Sequence, residues 1–559
     1  MQKIWLKSYP AGVPAEIDPS SLRSVKELAE RSFAEFAPRT AFTQMGRSVS
    51  YEELGELSRA FAAWLQKRSG LARGDRIAIM LPNVLQYPIA LFGALRAGLT
   101  VVNTNPLYTA RELEHQLSDS GAAAIVVLEN FAHVVEDVLP RTKVKRVLVT
   151  AVGHWLGFAK SRIVNYVVRH KRKQVPPWRI EGALDLRSVV REGRRLNLEP
   201  VELGHGDVAF LQYTGGTTGV AKGAELTHGN ICANVLQAEA WIRPFLAAGS
   251  GGPGWIVTPI PLYHIFALTA NCIVFLRLGW HNLLITNPRD LSGLVAELAR
   301  YPFGCLSGVN TLFNALLNTR GFDSLDFSHL KITLGGGMAV QAAVAERWKK
   351  VTGHPICQAW GLTEASPGVC INPPLEEFNG SIGLPISSTE VAIKDDDGRD
   401  LAIGETGEIC VHGPQVMRGY WNRPDETAKV MLPGGWLRTG DVGRMDERGY
   451  VYIQDRKKDM ILVSGFNVYP NEVEEVAAAH PGILEVAAVA QPDAHSGEVV
   501  VLYVVRKDPN LTERDVIDFC RKSLTGYKVP RHVYFRTELP KSNVGKILRR
   551  ALRDQAETT

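Results

Sequence analysis

The chain has little cysteine and no two of its cysteines are placed to act together. Seven are scattered through 559 residues, at positions 232, 272, 305, 357, 370, 410 and 520. None forms a Cys-x-x-Cys pair, so neither a zinc site nor a disulfide framework is written here, and a reducing cytoplasm is the expected setting. Charge of one sign is also scarce. The 63 Lys and Arg nearly cancel the 58 Asp and Glu, leaving +5; a dedicated nucleic-acid binder carries a concentrated basic face instead. Long hydrophobic runs are missing. The longest, Ile265 to Leu276, contains Asn271 and stops at Arg277, short of the ~20 residues a bilayer span needs. The opening MQKIWLKSYPAGVP lacks the apolar stretch of a signal peptide. No repeat of solenoid period is visible.

What is present is a long alternation of helix and strand. Ser50-Tyr-Glu-Glu53 reads as a capping box ahead of a helix with Leu54, Leu57, Phe61, Trp64 and Leu65 on one face. The strands "RIAIML", "TVVNTN" and "AAAIVVL" are separated by helices, one of them started at Thr109-Ala-Arg-Glu112. Strands parted by helices imply mainly parallel sheets covered on both faces, and the alternation returns between residues 207 and 365. After about residue 375 the texture changes to short strands and tight turns such as Asp-Gly, the mark of antiparallel structure. The expected fold is therefore α/β. Two mainly parallel subdomains and a small β-barrel at about 380–453 make an N-terminal region, 1–455. A small, mobile α+β domain, 456–559, follows, with "QDRKKD" as the polar linker.

One loop carries the first chemical signal. "LQYTGGTTGVAKGAELTHGN", residues 211–230, lies between a strand and a helix and is rich in glycine and threonine. Glycines let backbone N–H groups approach phosphate oxygens, hydroxyls add donors and Lys222 adds a mobile charge. The spelling is not that of the common nucleotide loop, in which lysine directly follows glycine and precedes Ser or Thr. "GGGM", 335–338, resembles a dinucleotide fingerprint but lacks its third glycine.

The loop "YTGGTTGVAKG" resembles the phosphate loop of the adenylate-forming acyl-CoA synthetases, a family that also includes luciferase and peptide-synthetase adenylation domains. Further motifs of that family follow in order: "QAWGLTE" (358–364), "WLRTGD" (436–441), "DRKKDMILVSGFNVYPNEVE" (455–474) and "PKSNVGKILRR" (540–550). The resemblance spans essentially the whole chain. In wording such as "NPLYTARELEHQLSDSGA" and "GVNTLFNALLN" it is nearest to the bacterial long-chain fatty-acid–CoA ligases of fatty-acid degradation.

The resemblance implies ATP-dependent formation of acyl-AMP, release of pyrophosphate and transfer of the acyl group to CoA. Tyr213, Thr214, Gly215, Gly216, Thr217, Thr218, Gly219 and Lys222 would surround the phosphates. Glu364, with Thr214, would hold Mg²⁺. Trp360, Gly361, Thr363 and Gly336 would border the nucleotide, with Trp360 stacked on adenine. Asp441 would accept from the ribose hydroxyls, assisted by Arg456, and Lys546 would bridge the carboxylate and the nucleotide. Lys458 matches the hinge about which the C-terminal domain turns. Ser464 and Gly465 would then face the CoA channel. His264, Gly308 and Val309 are candidates for the acyl channel, and ordinary packing explains His264 equally well.

A long acyl chain needs an apolar tunnel, for which "IFALTANCIVFLRLGW" and "GVNTLFNALL" are the candidate walls; core packing explains them equally. The segment "WLGFAKSRIVNYVVRHKRK", 155–173, carries six basic residues with Leu156, Ile163 and Val167 on one helical side. It suits a helix lying on an anionic membrane, with a solvated helix packed on the main domain as the alternative. The expected partners are fatty acid, ATP and CoA, with no nucleic acid. Contact with the cytoplasmic face of the inner membrane and a homodimer stay open. The rival readings are a medium-chain or aryl acid–CoA ligase, an enzyme that hands acyl-AMP to a carrier protein, and a nucleotide-sensing protein with a vestigial site. The last should have lost Lys546 or Glu364, and both are present.

Overall fold

The computed structural model describes residues 3–214, 221–246, 254–493 and 495–556. The expected alternation builds two large sheets. The first has seven strands, in the order Leu184–Asp185, Arg146–Thr150, Ala124–Leu128, Arg76–Met80, Thr100–Asn103, Val208–Thr214 and Lys222–Thr227. All its pairs are parallel except the last, which folds the chain back on itself across the glycine-threonine loop. The second has nine strands, parallel through its centre and antiparallel at both ends. Its far edge is the hairpin Thr40–Gln44 and Arg47–Ser50, which joins the sheet beside His281–Leu284.

Local signals behave as the residues dictate. Thr109 and Glu112 make a reciprocal capping box. Ser50 accepts from Glu53 N at 3.0 Å, but the Glu53 carboxylate turns to Arg47 at 3.0 Å, so only half of that box forms. The apolar run after His264 contains a buried π-helical stretch, Ala267–Ile273.

The antiparallel region is a five-stranded sheet from Glu390–Lys394 to Val451–Arg456. It runs three residues past the expected limit of 453, into the sequence read as linker. The reason is pairing: Asp441 and Arg456 stand opposite each other in register, so the strand continues until Arg456 reaches its carboxylate partner. Beyond it the last hundred residues form a mixed five-stranded sheet with the helices Pro470–Ala478, Glu513–Arg521 and Arg549–Ala556. This unit has its own apolar core, including Ile461, Val486, Leu502 and Val516.

The carboxyl ends of strands from both large sheets point to one place, where α/β folds bind ligands. Asn103, Gln212, Thr214, Ser307, Gly336 and Trp360 all line a single cavity of about 1480 Å³. The C-terminal unit closes one side of it with Lys541, Ser542, Lys546 and Arg549.

Candidate active site

Thr214 ends its strand opposite Lys222, and its hydroxyl reaches Lys222 O at 3.4 Å. Gly215, Gly216, Thr217, Thr218 and Gly219 lie outside the described residues. The Lys222 ammonium donates to Glu426 Oε2 at 2.7 Å and sits 4.6 Å above the Tyr420 ring. Hydrogen bonds from Lys222 and then Lys429 hold the Glu426 carboxyl down at about 2. Tyr213 is positioned differently from a phosphate ligand: its hydroxyl donates to Asp119 Oδ2 at 2.7 Å, and Arg423 holds the other oxygen at 2.7 Å.

Glu364 follows the strand Ile356–Gly361 on a single helical turn, Thr363–Ala365. The turn is tight: a Cβ at Gly361 would stand 2.0 Å from Pro367 O, so no other residue fits. The Tyr420 hydroxyl donates to Glu364 Oε1 at 2.7 Å, and Met417 N donates to its backbone carbonyl at 2.7 Å. Among the described residues no three His, Cys, Asp or Glu come together to hold a metal unaided. One carboxylate, Glu364, and one hydroxyl, Thr214, fit Mg²⁺ that arrives with a nucleotide, since that ion takes few protein ligands beside substrate phosphates.

Asp441 is 2% exposed. Its Oδ2 accepts from the Trp360 indole at 3.0 Å. Its Oδ1 lies 3.1 Å from Arg456 Nε, out of line for a hydrogen bond, so a buried carboxylate oxygen keeps an unused acceptor site. An unfilled buried acceptor is costly, and a hydroxyl of a bound ligand would fill it.

Lys546 enters the same cavity from the C-terminal unit, its Cε 3.5 Å from where a Cβ on Gly337 would stand. Burial and the charges of Arg456 and Lys458 push its ammonium down to about 8, partly opposed by Asp441 and Glu364. Lys458 is half-buried and is likewise pushed down to about 8, by burial first and Arg456 next. Arg456 and Lys458 stand close enough to Lys546 to disfavour its charge, and cations gathered in this way suit a polyanion. His264 also lines the cavity. Burial, and secondarily Lys546, pushes it down to about 3, so it is neutral; its Nδ1 accepts from Phe266 N at 3.3 Å.

Two of the sequence-derived positions, Gly308 and Val309, stand elsewhere, and Ser464 and Gly465, expected at the CoA channel only once the C-terminal domain has turned, lie apart from the cavity in this pose. Gly308 is backed by the Phe313 ring and does not line the cavity. Val309 packs against Gly337 and Gly545 rather than facing the opening. Ser464 and Gly465 form the tip of the hairpin Ile461–Val463 and Phe466–Val468, with positive φ of 50° and 86°. That tip is exposed and outside the cavity. Of the two candidate tunnel walls, the first contributes Ile265, Phe266, Ala270, Val274 and Phe275 to the lining. The second, on the helix Asn310–Leu317, contributes its polar side, Asn310, Thr311 and Asn314, while Phe313 and Leu316 are turned into the core.

Residues 29–421 match the AMP-binding enzyme family, and residues 472–546 match the AMP-binding enzyme C-terminal domain. The chain belongs to the AMP-binding enzyme family. It is 57% identical to a long-chain-fatty-acid–CoA ligase of Salmonella typhimurium (strain LT2) over 557 residues, 100% of this chain and 99% of that protein. It is 56% identical to the enzyme of the same name from Escherichia coli O157:H7, with the same coverage. Among solved structures it resembles an anthranilate–CoA ligase in complex with anthranoyl-AMP. The TM-score is 0.85 at 25% identity, covering 97% of this chain and 99% of that one. In this member of the AMP-binding enzyme family, several site residues carry no local sequence signal. Tyr420 and Glu426 belong to "RGYWNRPDET", which reads only as a turn-rich stretch; its adjacent Tyr-Trp pair beside Arg418 and Arg423 is the one hint that it packs against a charged site.

Proposed function

We propose that this chain activates long-chain fatty acids with ATP and CoA, through an acyl-AMP intermediate. In the first step a carboxylate oxygen of the fatty acid bonds to the α-phosphorus, the bond to the bridging oxygen breaks, and pyrophosphate leaves. In the second the CoA thiolate sulfur bonds to the acyl carbon and AMP leaves. The observation that carries this reading is the meeting of Lys546, from one unit, with Glu364 and the unfilled Asp441 Oδ1, from the other, in one cavity.

Each residue has a part that its surroundings support. Asp441 Oδ1 accepts from a ribose hydroxyl, while the indole bond fixes its other oxygen. Trp360, committed to Asp441, borders the base. Lys222 leaves Glu426 for the phosphates, staying over the Tyr420 ring. Glu364 and Thr214 would hold Mg²⁺, which offsets charge on the triphosphate. Lys546 brings its ammonium to the carboxylate and α-phosphate, where negative charge gathers during attack. Lys458 is the hinge, and rotation of the C-terminal unit would carry Lys546 out and the Ser464–Gly465 tip in for the second step. The acyl chain lies along Ile265, Ala270, Val274 and Phe275, where each buried CH₂ contributes about 0.8 kcal/mol.

The protein also works at the cytoplasmic face of the inner membrane in this reading, bound through the helix Phe158–Tyr166. No described helix is long and apolar enough to cross a membrane, whereas Phe158 is 76% exposed on a segment rich in basic residues. Pyrophosphate release and thioester formation measured over a ladder of straight-chain and aryl acids test the substrate class. The expected result is the highest kcat/KM for long chains. A medium-chain or aryl acid in first place would replace the substrate, and absence of acid-dependent pyrophosphate release would overturn the reaction itself.

A further inference from the structure

We infer that Thr311 is a positioning residue for Lys546: it fixes the turn that carries the lysine into the cavity, and so serves the first step only. The inference rests on the role of Lys546 proposed above. The Thr311 hydroxyl donates to Gly545 O at 2.9 Å. Gly545 and Lys546 belong to one closed turn, in which Gly545 N donates to Ser542 O at 2.9 Å and Ser542 N to Lys546 O at 2.7 Å. Lys546 N in addition donates to Ser542 Oγ at 3.2 Å. Holding one carbonyl of such a turn therefore holds the lysine's backbone.

The approach is as close as the chain allows. A Cβ on Gly545 would stand 3.0 Å from Thr311 Oγ1 and 3.1 Å from Val309, and its φ is 86°. One helical turn on, Asn314 Nδ2 donates to Leu484 O at 2.9 Å, a second grip on the C-terminal unit from the same face. The opposite face of this helix is anchored by Phe313 and Leu316, both fully buried, so the two polar groups project from a fixed base. Both contacts join the N-terminal region to the unit that must turn, and neither can persist after it turns.

Thr311→Val keeps the shape and removes the donor; Thr311→Ser keeps the donor. Pyrophosphate release is measured as the first step, and conversion of supplied acyl-AMP and CoA to thioester as the second. Loss of one hydrogen bond of ordinary strength predicts about a five- to tenfold fall in the first step for Thr311→Val. The second step should be unchanged or faster, and Thr311→Ser should return the first step to within about twofold of the parent. Asn314→Ala should show the same split to a smaller degree, and serves should Thr311→Val fold poorly. Equal losses in both steps, an unchanged first step, or a serine variant no better than valine would overturn the inference. Lys546→Ala is run beside them. If it cripples the first step while Thr311→Val does not, only the positioning role fails; if it spares the first step, the role of Lys546 fails with it.

Discussion

Replacing Phe158 and Ile163 together by serine should release this protein from anionic vesicles, at high salt as well as low. On the helix Phe158–Tyr166, Phe158 is 76% exposed, Ile163 63% and Tyr166 54%. At 100° per residue the three fall within one side. Ser161 and Val168 on the opposite side are buried. Leu156, read from the sequence as part of the outward stripe, is 3% exposed and faces in; Val167 is half-buried. The outward apolar set is thus a different one, and larger. An aromatic side chain has roughly 200 Å² to bury, so Phe158 offers ~150 Å²; half insertion at ~25 cal/mol per Å² is worth ~2 kcal/mol. Ile163 adds about 1 kcal/mol by the same reckoning. Their loss should weaken binding about 100-fold. Lys171, Arg172 and Lys173 are exposed and contribute about 1 kcal/mol each near an anionic surface, lost toward 1 M salt where the Debye length is about 3 Å. Arg169 does not belong with them. It clasps Glu129, 6% exposed, at 2.6 Å, and Arg169→Gln should instead lower the melting temperature by stranding a buried carboxylate. Vesicle co-sedimentation across a salt series is the assay. Binding indifferent both to the serine pair and to replacement of Lys171, Arg172 and Lys173 by Gln would refute this surface; a fall in melting temperature for the serine pair, without loss of binding, would assign the helix to packing.

Three further outcomes are expected. Acyl-AMP formation, followed as kcat/KM and so reporting the free enzyme, should fall as pH rises through about 8, where Lys546 loses its proton, and Lys546→Arg should remove that limb. Lys458→Pro, which fixes φ near −65° and restricts Lys457, should slow thioester formation and spare pyrophosphate release; wild-type thiolation would refute rotation about this residue. Tyr420→Phe removes the 2.7 Å bond to Glu364 and keeps the ring beneath Lys222, so the Mg²⁺ concentration for half-maximal pyrophosphate release should rise about fivefold. Mn²⁺ binding in the presence of a non-hydrolysable ATP analogue, read by electron paramagnetic resonance, should weaken in parallel, and unchanged binding would free Glu364 from Tyr420.

The parts of the molecule legible from sequence are those set by neighbours along the chain. Strand–helix alternation reports burial on both faces of a sheet, and it placed the strand ends that border the cavity. The Thr109 cap was legible for the same reason. What escaped is long-range. The hairpin Thr40–Ser50 joins a sheet whose neighbouring strand begins at His281, and no periodicity in either segment records the pairing. The bonds Tyr420–Glu364, Trp360–Asp441 and Lys222–Glu426 join residues 56, 81 and 204 positions apart. Asn310–Leu317 misled in another way. Its apolar residues were offered as tunnel wall, but a helix has two faces, and here the core took the apolar one and left the polar one to grip Gly545 and Leu484.

That grip explains how the electrostatics of Lys546 can be tolerated. Its ammonium sits below its ordinary range because burial and two neighbouring cations disfavour the charge. The sign follows from linkage. A lysine whose value is lowered from 10.5 to about 8 binds fewer protons in this pose than when free, between those two pH values. The pose is therefore penalised in full below about 8, and the penalty lifts as pH rises toward 10.5. At neutral pH, without nucleotide, the Thr311–Gly545 and Asn314–Leu484 contacts are among those that oppose this penalty, beside the Arg549–Asp455 ion pair. A bound triphosphate reverses the balance, because its charge favours the protonated ammonium. Departure of pyrophosphate would take away that attraction and leave Lys546 with Arg456 and Lys458, only partly opposed by Asp441 and Glu364. In the proposed two-step scheme, repulsion from Arg456 and Lys458 would then favour departure of Lys546 when the second step calls for it.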